Sequence, residues 1–572
     1  MGRIIGIDLG TTTSEIAYIK NGKPEIIVND LGNRITPSVV GLTDDNEIIV
    51  GTLPKRQAVL KPERTVMEIK RLMGTNEKIS IGDKVLSPQE ISSMILKKLK
   101  KYAEDYLGES VTEAVITVPA NFNDLQRQAT KEAGELAGLK VDRIINEPTA
   151  AALAYGIDNL EGEEKVLVYD LGGGTFDVTV LELFDGVIDV KASRGNNKLG
   201  GKDFDERIEK YIIEDFEKKN GINLRNNKKT MARIKEAAER AKIELSSMDS
   251  TDIELPFVAI DENQNPLEIS IRLTRSKFEE LIMDLLEATD KEIQDALEAA
   301  KYSIDDIDVV LAVGGSSRVP CVRRLLNTKF NKKIKTDINP DEAIALGAAV
   351  QAGIKNDEIS SEDSVLITDA CRYTLGTNIV TDVGNGRLMS GVFDPIIMRD
   401  SKIPCTRKKV YYTASENQNK VVIDVYQGDG KLVIENTKIG EFLLEGIPEA
   451  PAREEAIEVS FTYNLNGILE VKAKILSNGK SISEIIDTQS INKEDVVCFE
   501  ELNLDKWKEC KLAPKVKSII NLCERKMETM NDTYREKVQE LLNKLKKSVI
   551  ENDDELVKKY DEELTDLIFD IT

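Results

Sequence analysis

Two ten-residue stretches carry the residue types of a phosphate-binding site. Residues 5–14 read IGIDLGTTTS and residues 169–178 read YDLGGGTFDV. Each ends an apolar, strand-like run on an aspartate, Asp8 or Asp170, follows it with Leu-Gly, and then passes through glycine and threonine before apolar residues resume. Gly10, Gly172, Gly173 and Gly174 let backbone N–H groups crowd an anion without side-chain obstruction, and the hydroxyls of Thr11, Thr12, Thr13 and Thr175 add donors. Asp8 and Asp170 suit magnesium held largely through its water shell, because that ion gives up water reluctantly and favours carboxylates together with phosphate oxygens. One such stretch alone is more often a tight turn. Two of them can clamp one Mg-nucleotide.

A nucleoside site is also visible. In RIKEAAERAKIELSS, Glu239, Lys242 and Ser246 recur at i, i+3 and i+7, one helical face that can offer a carboxylate and an ammonium to ribose hydroxyls and a hydroxyl to adenine. The later VGGSSRVP supplies Gly314, Gly315 and Ser316 after a strand, with Arg318 able to stack on a purine ring. The chain has no histidine. That removes the commonest general base, the Ser-His and Cys-His nucleophile pairs and every imidazole metal site.

These residues need a scaffold, and the chain supplies it by repeating itself. VLVYDLGGGTFDVTVL repeats IIGIDLGTTTSEIAYI, and INPDEAIALGAAVQAG repeats INEPTAAALAYG. Two copies of one unit should face each other across a cleft, each pointing its Asp-Leu-Gly turn inward. Apolar runs alternate with amphipathic helices over residues 1–355, the α/β pattern of a sheet covered by helices. Between about 371 and 490 the pattern becomes short strands with period-two alternation and Asn-Gly turns, a β-sandwich domain. Residues 501–572 turn lysine, glutamate and leucine rich at helical spacing, with Pro514 as a helix start. The stretch 356–370 between the first two regions is acidic and serine-bearing, yet holds the tetrad Val365-Leu366-Ile367-Thr368, which reads either as the first strand of the β domain or as a docking segment.

Composition narrows the partners. With 101 acidic against 78 basic side chains the formal charge is −23, which repels phosphate backbones and excludes nucleic acid as an expected partner. The six cysteines lie at least twelve residues apart, so no CxxC spacing exists, and reduced thiols in a cytoplasmic protein are expected. No targeting core or run of eighteen apolar residues is visible, so no membrane partner is expected.

In this order, IDLGTTTS, INEPTAAALAYG, DLGGGTFDV, LGGKDFD, AAERAKIELSS and VGGSSRVP resemble the ATPase domain of the DnaK-type, 70-kDa heat-shock chaperones. The resemblance implies an actin/hexokinase-like ATPase domain over 1–355, a linker over 356–370, a peptide-binding β-sandwich over 371–500 and a short helical lid over 501–572. It implies ATP hydrolysis to ADP coupled to capture of unfolded polypeptide, with magnesium, potassium, a J-domain co-chaperone and an exchange factor. It puts Asp8, Glu147, Asp170 and Asp177 around the ions and the attacking water, Thr175 and the first-loop threonines on the phosphates, and Lys70 where it positions water and the terminal phosphate. It puts Pro119, Arg127 and Lys131 on the relay from the docked linker, with Val421 and Ile423 in the peptide pocket, Ala414 over the peptide backbone and Val380 beside it.

Three features depart from the family. CRYTLG (371–376) stands where Thr-Pro-Leu-Ser-Leu-Gly is typical, Lys202 stands where an acid is common, and the helical end is short. With SGVFDPII, these look most similar to the HscC-like subgroup. Phosphate clamps alone leave a small-molecule kinase as the alternative, and the linker and β domain are the features a kinase would not need.

Overall fold

The computed structural model describes residues 3–156, 162–184, 186–262, 264–331, 333–335, 339–356, 358–359, 366–382, 388–464 and 469–486, with scattered positions between 512 and 564. It divides into two compact units, Met1–Ser490 and Ile491–Thr572.

The duplication is visible in the sheets. In the first, Arg3–Leu9, Thr13–Lys20 and Lys23–Ile27 run antiparallel, while Val111–Val118 pairs in parallel with Arg3–Leu9 and Lys140–Asn146 lies beyond it. In the second, Glu163–Leu171, Phe176–Phe184 and Val187–Asn196 run antiparallel, and Val309–Val313 pairs in parallel with Glu163–Leu171. These strands are covered on both faces, which is why they read as continuous apolar runs: Ile4, Ile5, Ile7 and Leu9 are all buried. The duplicated helices, Glu147–Gly156 and Ala343–Lys355, lie against each other where a Cβ on Gly347 would stand 1.7 Å from the Ala150 carbonyl oxygen. Helix Asp124–Leu136 starts at a reciprocal cap between Asn123 and Gln126, which fixes the loop before it.

Beyond residue 371, eight strands form two four-stranded antiparallel sheets, ordered Leu388–Ile397, Leu375–Asp382, Lys420–Gln427, Thr437–Glu445 and Cys405–Tyr412, Ala456–Tyr463, Leu469–Ile475, Ser481–Ile486. They enclose one apolar core that includes Leu375, Val425, Phe461, Val471 and Ile475. Over its described part the linker tetrad lies in the same sheet as Val187–Asn196 and in neither sandwich sheet. Strand Leu366–Ala370 pairs in parallel with Val187–Asn196, Leu366 opposite Val187 and Ile367 opposite Ile188. Its other end pairs with Lys402–Ile403. Val365 lies outside the described residues.

Within the second unit the described residues are almost all helical, and Val516, Ile520, Val538, Leu542, Leu545 and Val549 share one buried cluster. Pro514, the expected helix start, lies outside the described residues.

Candidate functional site

The two Asp-Leu-Gly turns face each other at close range. A Cβ on Gly173 would lie 1.9 Å from Thr12 Oγ1, and one on Gly174 would lie 2.7 Å from Thr11 Cγ2. Asp8, Gly10, Thr11, Thr12, Thr13, Lys70, Glu147, Asp170, Gly172, Gly173, Thr175, Gly314 and Gly315 line the narrow cavity between them. Glycine is required here by approach, since only bare backbone fits where two loops converge on one small ligand.

The charges are set by burial. Lys70 and Glu147 are both buried, with Lys70 Nζ donating to Glu147 Oε1 at 2.5 Å. Thr117 Oγ1 donates to Asp8 Oδ1 at 2.7 Å. Asp177 Oδ1 accepts from the Asn121 backbone N–H at 3.2 Å and from its side-chain amide, while Oδ2 is buried with no partner. Burial and the Glu147 charge push Asp8 up to about 6 against relief from Lys70. Burial pushes Asp177 up to about 6, and burial with repulsion from Glu147 and Asp177 pushes Asp170 well above the carboxylate range. Among the described residues no group of three carboxylates stands ready to ligate an ion directly. The donor set therefore fits cations held through water: dry carboxylates, an orphaned Asp177 oxygen and one ammonium among them.

Sequence reasoning missed Glu15, which lines this cavity, is buried and is pushed well above its usual range by burial and by Asp8. Its signal was available in the hairpin register, where Glu15 stands opposite Asp8. Arg71, also missed, donates to the Gly174 carbonyl at 3.2 Å and to Asp203 at 2.8 Å.

Of the nucleoside set Gly314 and Gly315 line the cavity, and the others sit around it. Ser316 Oγ donates to the Gly172 carbonyl at 2.9 Å, and Lys242 Nζ to the Gly201 carbonyl at 3.0 Å while pairing with Asp205 at 2.8 Å. Glu239 pairs with Lys55 at 3.1 Å and lines a separate cavity of about 470 Å³. Arg318 is held by Asp341 at 2.6 Å and Asn339 at 2.8 Å. The helical-face reading of Ser246 needs correction: the helix spans Lys228–Glu244 and caps at Leu245, so Ser246 lies in the following turn, its Oγ donating to the Lys242 carbonyl at 3.2 Å. Lys202 is buried between Asp205 at 3.5 Å and Glu239 at 3.8 Å, where neighbouring acids balance its charge.

The interdomain residues divide. Ile367 is buried in the core shared with Leu183, Ile188 and Val190. Pro119 is buried at the end of strand Val111–Val118, and Arg127 binds the Ala120 and Phe122 carbonyls and Asn146 Oδ1, whose amide donates to Asp369 beside the linker strand. Lys131 pairs with Glu135 at 3.8 Å, and among the described residues no hydrogen bond or ion pair joins it to Leu366–Ala370. In the sandwich, Val380, Ala414, Val421 and Ile423 all line one cleft of about 660 Å³ together with Ile379, Tyr411 and Ile457.

A family model described as Hsp70 protein matches residues 4–571. The chain belongs to the Hsp70 family. Over 496 residues, 86% of this chain and 82% of the relative, it is 50% identical to "Chaperone protein DnaK" of Thermotoga neapolitana. Over 575 residues, 98% of this chain and 94% of the relative, it is 46% identical to "Chaperone protein DnaK" of Thermosipho africanus. As an Hsp70 it has an actin/hexokinase-like ATPase part, a β-sandwich and a helical lid. It is an ATP-hydrolysing molecular chaperone and not a small-molecule kinase.

Proposed function

We propose that Mg-ATP is hydrolysed between the two loops and that the sandwich cleft holds the client, the two joined by strand Leu366–Ala370. Asp8 and Asp170 would hold magnesium largely through its water shell, and magnesium and potassium, when bound, would neutralise charge on the phosphates. The chain's own groups do the aligning. Thr11, Thr12, Thr13, Thr175 and the loop N–H groups grip the phosphates; Lys70, fixed by Glu147, serves the terminal phosphate; Asp177 offers Oδ2 to the attacking water. Glu239, Lys242, Ser246, Gly314, Gly315, Ser316 and Arg318 receive the nucleoside. Phosphoryl transfer to water depends on alignment and charge neutralisation, so the lack of histidine is no obstacle.

The client is an extended apolar segment of unfolded polypeptide, held by backbone hydrogen bonds with side chains against Val421, Ile423 and Val380 and with Ala414 above. The domain limits are 1–355, 356–370, 371–500 and 501–572. The chain works in the cytoplasm with a J-domain co-chaperone and an exchange factor, and CRYTLG favours an HscC-like, specialised role. One observation carries this reading: the strand after the ATPase region is hydrogen-bonded to the ATPase sheet at one end and, at the other, to the two-residue strand Lys402–Ile403, whose Ile403 lies in the sandwich core.

The test is peptide-stimulated hydrolysis by the purified chain. Apolar peptide is expected to raise the ATPase rate. Ile367→Asp, which would bury an unpaired carboxylate on docking, is expected to abolish that stimulation while basal hydrolysis stays within about threefold. Equal stimulation in wild type and variant would show that the strand is not the coupling element.

A further inference from the structure

The loop that follows the linker strand reaches the catalytic carboxylates. Arg372 is buried, 6% exposed, and donates one Nη2 bond to Asp369 Oδ1 at 3.3 Å. Its Nε and Nη1 are buried without a partner. A guanidinium carries five donors, and leaving most of them dry is costly unless a nearby anion compensates. The acids acting on it beyond Asp369 are Asp177 and Asp400, and Arg127 opposes them. Burial raises Asp177, and the Arg372 charge opposes that rise.

Tyr373, the next residue, makes a second connection. Its hydroxyl donates to the Asn121 carbonyl at 2.9 Å, an oxygen that also accepts from Asn197 Nδ2 at 2.9 Å. Asn121 is the residue whose backbone and side-chain amides grip Asp177 Oδ1. The packing leaves Asn121 little freedom: a Cβ on Gly195 would stand 2.3 Å from its Nδ2 and 2.9 Å from Asp177 Oδ1. A sandwich side chain thus holds the residue that holds Asp177. Arg372 and Tyr373 occupy positions where the typical family segment has proline and leucine, which can offer neither the charge nor the hydroxyl.

We propose that Arg372 and Tyr373 are positioning residues for ATP hydrolysis, contributed by the sandwich to the Asp177 site. Tyr373 fixes Asn121 and hence Asp177 Oδ1, and Arg372, tied to Asp369, holds the loop that carries Tyr373, so that Oδ2 is aimed only while this loop is seated. The proposal rests on the water-directing role given to Asp177 above. It makes the state of the substrate domain legible to the reacting centre through two side chains, alongside the linker strand.

The experiment is single-turnover hydrolysis and ATP affinity on the full chain for Arg372→Gln, Arg372→Lys, Tyr373→Phe and Asp177→Asn, with each loop variant also in the Asp177→Asn background. Lys402→Gln, which breaks the Lys402–Asp189 pair of 2.7 Å elsewhere between the domains, is the control for weakened docking. Arg372→Gln is expected to slow hydrolysis about tenfold and Tyr373→Phe about threefold with ATP affinity unchanged, because small misplacements of a reacting group cost rate and not binding. Arg372→Lys should recover part of the loss. In the Asp177→Asn background both losses should shrink to less than about twofold, whereas any effect of Lys402→Gln should persist in full. Losses undiminished in that background, or normal rates for both loop variants beside a slow Asp177→Asn, would overturn the proposal alone. A wild-type rate for Asp177→Asn would overturn the assignment of Asp177 and the proposal with it.

Discussion

The nucleotide cleft and the peptide cleft are built on opposite terms. Around the nucleotide, polar side chains are buried and tied: Lys70 to Glu147, Asp8 to Thr117, Asp177 to Asn121, Lys242 to Asp205. Around the peptide, apolar side chains are left partly bare: Val380 is 50% and Val422 52% exposed at a cleft open to extended chains. The first needs one geometry to within fractions of an ångström, since charge must be neutralised where it develops. The second needs adhesion without a sequence code, which exposed β-branched residues and unpaired backbone provide. On the function proposed above, one region would select a single ligand by over-determining it, and the other would accept many by determining little.

Three perturbations test that contrast. Removing one tied charge should be the most damaging. Lys70→Ala is expected to reduce single-turnover hydrolysis about 10²-fold, with ATP binding kept within about tenfold and peptide binding unchanged, the scale for losing a charged group that acts on the transition state. Near-normal turnover would remove Lys70 from the chemistry and blur the contrast.

Filling the open cleft should act on affinity and leave catalysis alone. Val421→Phe is expected to weaken binding of a fluorescent apolar peptide by about 2 kcal/mol, about thirtyfold, through overpacking, with basal hydrolysis unaltered. Release rates measured with ATP and with ADP would locate the change in the off-rate. Unimpaired binding with the fold intact would move the client elsewhere.

The smallest effect is expected at the contact between the two regions. Asp124, buried against the sandwich, accepts from Tyr463 at 2.9 Å and from Gln427 at 3.3 Å. Burial pushes it from 3.8 up to about 6, against relief from the Tyr463 hydroxyl and the Arg127 charge. A carboxyl raised on docking favours the docked arrangement fully below its free value, and that contribution is lost as pH rises through about 6. Lowering pH from about 7 to about 5 should therefore raise the docked-to-undocked ratio by about tenfold. Protease sensitivity of the stretch before Leu366 would read this out. Asp124→Asn should flatten the response, and an unchanged slope in that variant would assign the dependence to another group.

How much of this was legible in the sequence depended on how local each cause was. The paired loops were readable because glycine and threonine next to an aspartate state their purpose within ten residues. Glu15 was not, although it is seven residues from Asp8, because its place follows from hairpin register and not from spacing. Ser246 was put on a helical face because residue types at i+7 cannot announce that the helix stops at Glu244. The four residues that line the sandwich cleft were singled out through family resemblance, since alternating valine and isoleucine fit any sandwich core equally well. The linker tetrad left two readings open because which sheet a strand joins is a long-range fact, and this one joins the sheet of Val187–Asn196. Arg372 was noticed as a missing proline, and its meaning depends on carboxylates distant in sequence.

The seating of Leu366–Ala370 has a further consequence when it ends. While bound, it covers the outer edge of Val187–Asn196, whose other side is already paired. Once it leaves, that strand presents a bare row of amides and carbonyls of the kind that recruits stray extended chains, and a protein whose work is to meet such chains is badly placed to expose one. The charges that guard the edge are already present. Asp189, Lys191 and Arg194 punctuate it, and Lys191, paired with Asp189 at 2.8 Å and Glu182 at 2.6 Å, would remain after the strand departs. Asp189, which accepts from the Thr368 hydroxyl at 2.6 Å while the strand is seated, belongs to the same row of charges that makes the vacant edge a poor template for any other chain.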